Sequence, residues 1–126
     1  MAVLALRRDQ LCSSTLLAKT VNTNPVVIRR LLLDLQAAGL VKTERGPAGG
    51  AHLARSPGRI RIGDIYKAVE EPVLFGAHRR KPSKACPVGC RIEPVLAELF
   101  QRGSQALERE FESITLDSVV RKIRRG

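Results

Sequence analysis

Three groups of side chains in this 126-residue chain have types and spacing suited to chemistry. Arg29 and Arg30 follow closely on Asn24-Pro25-Val26-Val27, and Arg45 stands at the lip of Gly46-Pro47-Ala48-Gly49-Gly50. Cys86 and Cys90 bracket Pro87-Val88-Gly89 in a stretch that also holds Arg79, Arg80, Lys81, Lys84 and Arg91. A guanidinium is a rigid fork of donors, and against a guanine edge it supplies about 1–3 kcal/mol of discrimination. A thiol beside cations and a helix start loses its proton more readily, which favours the reactive thiolate. Two thiols this close could also join in a strained, reducible disulfide. A zinc site would need two further ligands, and His78 is the only histidine near the pair. No Cys-x-x-Cys in a βαβ setting, no nucleophile–base pairing and no phosphate loop is present, so an enzyme is not expected. His52 suits hydrogen bonding or a phosphate contact rather than catalysis.

The patterning around these residues says what must position them. Asn24 is a good N-cap and Pro25 fits the first helical position, where its missing N–H costs nothing. From Pro25 the apolar residues Ile28, Leu31, Leu32, Leu35 and Ala38 share one face, and Gly39 ends the helix. Val26 and Arg30 lie opposite that face, with Arg29 to one side, so a major groove would meet them. Ser13-Ser14 can cap a helix over 15–20, and the four-residue break at 21–24 gives a helix-turn-helix layout. Residues 40–45 and 51–55 read as strands around the glycine-rich turn, forming a wing. A turn without bulk can enter a narrow groove, where Arg45 meets concentrated negative potential. Two arginines alone would more often be a solvated face; the adjoining turn and hairpin favour recognition.

Elsewhere, residues 3–8 are helix-compatible, 59–63 read as extended, and Asp64 is expected to cap a helix through Glu71 that Pro72 stops. From about Pro94 a long helix carries Leu96, Leu99, Phe100, Gly103, Ala106, Leu107 and Phe111 at three- and four-residue steps. So long a stripe in a small chain is expected to pack against a second copy, the alternative being packing within the chain. Thr115-Leu116-Asp117 suits the cap of a short helix carrying Val119, Val120 and Ile123.

Composition limits the function classes. Lys and Arg total 22 against 12 acids, a net charge of +10. Residues 1–60 carry +6, 78–91 carry five bases and no acid, 92–117 carry −4, and 118–126 carry +4. A basic reading module joined to an acidic amphipathic helix points to a polyanion partner. Aromatics are scarce, with one Tyr, three Phe and no Trp, which disfavours a stacking platform for single strands. A basic RNA- or ribosome-associated protein shares the charge but would not need a helix-turn-helix with a wing. No apolar run is long enough to cross a bilayer, and three cysteines do not make a disulfide framework, so a cytoplasmic protein is expected.

Together, Asn22 through Arg30, Ala38-Gly39-Leu40-Val41, Arg45 through Ala54, Ile62 through Glu70 and Cys86-Pro87-Val88-Gly89 resemble the BadM/Rrf-type family of bacterial winged helix-turn-helix transcription regulators. The resemblance spans nearly the whole chain. It implies a mainly α fold with a small β-hairpin, a winged helix-turn-helix plus a long dimerisation helix. The divisions would be 1–71 for DNA binding, 72–94 for the cysteine-containing loop, and 95–126 for the dimerisation and C-terminal helices. It implies a homodimeric repressor on a pseudo-palindromic duplex operator. Asn24, Pro25, Val26, Val27, Arg29, Arg30 and the wing from Arg45 to Gly50 would contact DNA. Several members hold an iron–sulfur cluster through three cysteines in this region; here only Cys86 and Cys90 are present, so no cofactor is expected. The pair is a candidate thiol-redox switch, the alternative being two idle or buried cysteines retained for packing. The family's first helix usually begins earlier, so a truncated or misassigned start is expected.

Overall fold

A computed structural model describes residues 1–69 and 81–126. The expectations that fall on His78, Arg79, Arg80, Pro72 and the end of the helix before it lie outside the described residues. Among those described, the order is α1 (Ala2–Leu6), α2 (Ser14–Thr20), α3 (Pro25–Ala37), β1 (Val41–Glu44), β2 (Gly50–Leu53), a 3₁₀ turn (Pro57–Arg59), α4 (Ile62–Val69), α5 (Ile92–Ser113) and α6 (Leu116–Arg125). The fold is mainly helical with one two-stranded antiparallel hairpin, as expected.

Local chemistry explains each boundary around the reading head. The Ser13 hydroxyl accepts the Leu16 N–H at 3.1 Å and starts α2. Asn22 takes φ 53°, a left-handed conformation that asparagine tolerates, and turns the chain between α2 and α3. Asn24 Oδ1 then accepts the Val26 N–H at 2.8 Å, and Pro25 occupies the first turn of α3. At the other end Gly39, at φ 72°, lets its N–H reach Gln36 O at 2.9 Å while the Leu40 N–H reaches Leu35 O at 3.0 Å. That pair of bonds satisfies the last carbonyls and sends the chain into β1.

The hairpin pairs Val41 with Leu53 and Glu44 with Gly50. Cys12 adds a bridge to Ala51, with its N–H on Ala51 O at 3.0 Å and its carbonyl accepting the Ala51 N–H at 2.8 Å. The wing base is thereby tied to the entry of α2. A Cβ on Gly50 would lie 2.7 Å from the Cys12 carbonyl, so the strand crosses there only because glycine has no side chain.

Residues 1–69 with 111–126 form one compact unit, and 81–110 a second. The core of the first centres on Leu4, Leu40, Val41, Ile60, Leu116 and Cys12, with Leu17, Ile28, Leu35 and Val120 around them. Three differences from expectation follow. First, α6 packs on α1 and the 3₁₀ turn, so the C-terminal helix belongs with the winged-helix unit rather than with 95–110. The physical cause is a short bridge: Leu116 N–H donates to Ile60 O at 2.8 Å and Ile62 N–H to Ile114 O at 2.9 Å. Second, Asp64 is not the residue before its helix but the third within it; its carboxylate reaches back to the Arg61 N–H at 2.9 Å. That is one half of a capping box. Third, α5 starts at Ile92, placing Pro94 in the first turn, where no helical N–H is needed.

The C-terminal end of α5 closes against α4. Phe111 meets Tyr66 edge-on at 5.3 Å between centroids, and Glu112 pairs with Lys67 at 2.7 Å over Gly63. The rest of α5 has no buried residue; Val95 and Leu99 are about half exposed.

Candidate nucleic-acid interface

Of the expected recognition residues, Arg29, Arg45, Gly46, Pro47, Gly49 and Gly50 line one groove of the winged-helix unit, whereas Asn24, Pro25, Val26, Val27, Arg30 and Ala48 do not line it. Val26 and Val27 are 63% and 47% exposed at the start of α3, and Arg29 and Arg30 project to solvent one turn later. Ile28 and Leu35 on the opposite face are buried and Leu32 half-buried, so α3 is held by that side, while Leu31 and Ala38, expected on it, are exposed. Asn24 spends its Oδ1 on the cap, which leaves the amide nitrogen for any outside acceptor.

Arg45, Gly46, Pro47 and Ala48 are exposed at the wing tip, with Gly49 and Gly50 half-buried behind them. Gly46 takes φ 107° and accepts the Gly49 N–H at 3.0 Å, closing a tight turn. A Cβ on Gly49 would strike the Glu44 carbonyl, so glycine is required there by close approach. The wing is pinned to α3 by the Thr43 hydroxyl, which donates to Gln36 Oε1 at 2.6 Å.

Between α3 and the wing runs an open groove of about 480 Å³, lined by Ser13, Ser14, Arg29, Leu33, Thr43 and Arg45 among others. Arg29 and Arg45, sixteen positions apart in sequence, thus face one channel. Ser14, Leu33 and Thr43 were not among the residues expected from sequence. No local signal marks them, because only the folding back of the hairpin onto α3 brings them to the groove. His52 pairs with Lys42 across the ladder; its Nδ1 is buried without a hydrogen-bond partner among the described residues, so that atom makes no phosphate contact.

The cysteines divide between the units. Cys12 is fully buried at the wing base. Cys86 and Cys90 are exposed free thiols in the turn that leads into α5. The Cys86 thiol is pulled below its ordinary pKa, chiefly by the Gly89 N–H and then the Val88 N–H pointing at the sulfur. These amides stand at the helix start that was expected, beside the neighbouring cations, to favour the thiolate.

A short helix, a four-residue turn, an exposed second helix and a basic glycine-rich wing define a winged helix-turn-helix protein. Residues 1–122 match the Rrf2 family, described as an iron-dependent transcriptional regulator. The chain is 38% identical over 113 residues to YwnA of Bacillus subtilis, named as an HTH-type transcriptional regulator, covering 89% of this chain and 84% of that one. It is also similar in structure to CymR, the global cysteine regulator of B. subtilis (TM-score 0.65, 26% identity, 96% of this chain and 89% of that one). IscR of T. potens is a further structural relative (TM-score 0.69, 25% identity, 97% of this chain and 78% of that one). The chain belongs to the Rrf2 family and is a DNA-binding transcription regulator.

The family description raises the question of iron. Cys86 and Cys90 lie in one turn, Cys12 is sealed in the core of the other unit, and no three His, Cys, Asp or Glu residues gather as ligands among the described residues. Iron in a thiolate cluster wants a fuller set, so the described residues of one chain do not fit such a centre.

Proposed function

We infer that this protein is a homodimeric repressor that reads a pseudo-palindromic duplex operator, without an iron–sulfur cluster, and that oxidation of Cys86 and Cys90 weakens its binding. The observation that carries the DNA reading is the groove flanked by Arg29 and Arg45. With α3 in a major groove and the wing at the adjoining minor groove, the intervening phosphates pass between them. Arg29, Ser14 and Thr43 then line the path of the backbone, Arg30 and Val26 meet base edges, and Arg45 enters the minor groove. Dimerisation rests on the apolar stripe of Leu96, Leu99, Phe100, Gly103, Ala106 and Leu107, none of it buried. Phe111 contributes instead to the winged-helix unit through Tyr66. A relative named as a cysteine regulator supports a sulfur-linked input.

Selection from random duplexes, with reduced and oxidised protein, would yield the site and its symmetry. Arg30→Ala removes a bidentate pair worth about 1–3 kcal/mol from each half-site, so affinity for the selected site is expected to fall at least about 30-fold and one base position in each half-site to relax. Arg45→Ala removes one cation from each half-site and is expected to weaken binding and to lower the salt slope by about two. Unchanged affinity in both variants would refute the docking. Structured RNA competing as well as the duplex would favour the ribosome-associated reading. Visible thiolate–iron absorption in anaerobically prepared protein would overturn the cluster-free clause.

A further inference from the structure

We propose that Cys86 is the site at which a small hydroperoxide oxidises this chain, that Cys90 is its resolving thiol, and that the resulting disulfide opens the turn at the foot of α5. The inference rests on the redox clause above and assigns its chemistry.

The two sulfurs are not equivalent. Cys86 Sγ is an acceptor, facing the N–H groups of Gly89 and Val88 from an exposed position. Backbone donors converging on sulfur favour its anionic form, the one that attacks peroxide. Cys90 Sγ is a donor: its S–H points at Pro87 O, 3.2 Å away. One sulfur is thus set up as thiolate and its neighbour as thiol. The third cysteine, Cys12, is fully buried and cannot take part.

The turn is built to hold this arrangement. Cys86 N–H reaches Ser83 O at 3.3 Å and Cys90 N–H reaches Cys86 O at 3.0 Å. Gly89 packs so closely on the Ser83 carbonyl that a Cβ would strike it. Only glycine lets the chain pass there and aim its N–H at the sulfur.

The chemistry balances. The Cys86 thiolate attacks the terminal peroxide oxygen; the O–O bond breaks, sulfur becomes a sulfenic acid, and the alcohol or water leaves. Cys90 then loses its proton and attacks the Cys86 sulfur; the S–O bond breaks and water departs. Sulfur loses two electrons in total, the hydroperoxide gains them, and a thiol reductant reverses the disulfide. Residues four apart on a helical turn have Cβ atoms about 5–6 Å apart. A disulfide needs about 3.5–4.5 Å. Closing it therefore pulls the turn out of shape and breaks the Cys90–Cys86 backbone bond, two residues before α5 begins at Ile92, whose N–H reaches Val88 O at 2.9 Å.

The test uses the full chain, reduced and then exposed to equimolar hydrogen peroxide, with free thiols alkylated and the products read by mass. The wild type should lose two hydrogens with Cys86 and Cys90 linked in one peptide. Cys90→Ser should accumulate a dione-trappable sulfenic acid at Cys86. In Cys86→Ser, oxidation of Cys90 should run at least about tenfold slower, and Gly89→Ala should slow Cys86 toward that rate. Amide exchange at Cys90 and Ile92 should accelerate after oxidation. Equal rates at the two sulfurs, a disulfide between chains, or unaltered exchange would overturn the proposal. A linked pair with unchanged operator affinity would support this chemistry while refuting the regulatory clause on which it rests.

Discussion

Leu116 and Leu99 make a contrasting pair for substitution by alanine. Leu116 is 2% exposed, though it follows the long helix, and it plugs the core beneath α1 and the 3₁₀ turn. Removing its isopropyl end forfeits the transfer energy and leaves a cavity, together about 3 kcal/mol. For a unit of this size each kcal/mol moves the midpoint by about 4–8 °C, so Leu116→Ala should lower Tm by about 12–24 °C at every protein concentration. Leu99 is 51% exposed within one chain. Its truncation should change the stability of a lone chain by about 0.5 kcal/mol or less. If the stripe of α5 meets a second copy, the remaining half of each Leu99 side chain is buried there, about 0.75–1.5 kcal/mol per protomer. Two copies give about 1.5–3 kcal/mol, a rise of roughly 10–150-fold in the dimer dissociation constant. Thermal melts across a concentration series, paired with sedimentation equilibrium, separate the two effects. A Leu116→Ala protein that melts like the wild type would refute the assignment of α6 to the winged-helix core. A Leu99→Ala protein with unchanged dissociation would refute α5 as the dimer stripe.

Other outcomes follow from single contacts. Asn24→Ala removes the acceptor that holds the Val26 N–H and should cost about 0.5–2 kcal/mol in urea melts, with operator affinity falling as the start of α3 frays. Gly49→Ala drives a methyl group into the Glu44 carbonyl and should displace the wing tip. Affinity measured by fluorescence anisotropy should drop while the melt, governed by a core distant from the tip, moves little. Because the amide donors lower the Cys86 pKa, its alkylation rate should rise with pH and level off below the ordinary cysteine range. A profile with its midpoint in that range would exclude the sulfur–amide contact.

Much of the reading head was legible because its signals are short-ranged. Ser13, Asn24-Pro25 and Gly39 act on backbone groups a few residues away, and each does in the structure what its residue type implies. The glycines of the wing mark a tight turn for the same reason. Asp64 misled by three positions because a carboxylate can cap from before a helix or from its third residue, and residue type alone does not distinguish these. For the thiol, the helix start and five nearby bases are visible in the chain, whereas the aim of two particular N–H vectors at one sulfur is not.

The sequence by itself determined the class of fold, the exposed face of α3, the wing and the family, since periodicity, capping and turn chemistry are properties of adjacent residues. Only the tertiary structure decided that α6 seals the winged-helix core, that Phe111 serves Tyr66, and that Arg29 and Arg45 share a groove with Ser14 and Thr43. Those are contacts between residues far apart in the chain. They depend on which apolar surfaces find each other on folding, and several partners of equal hydrophobicity are open to any one amphipathic stripe.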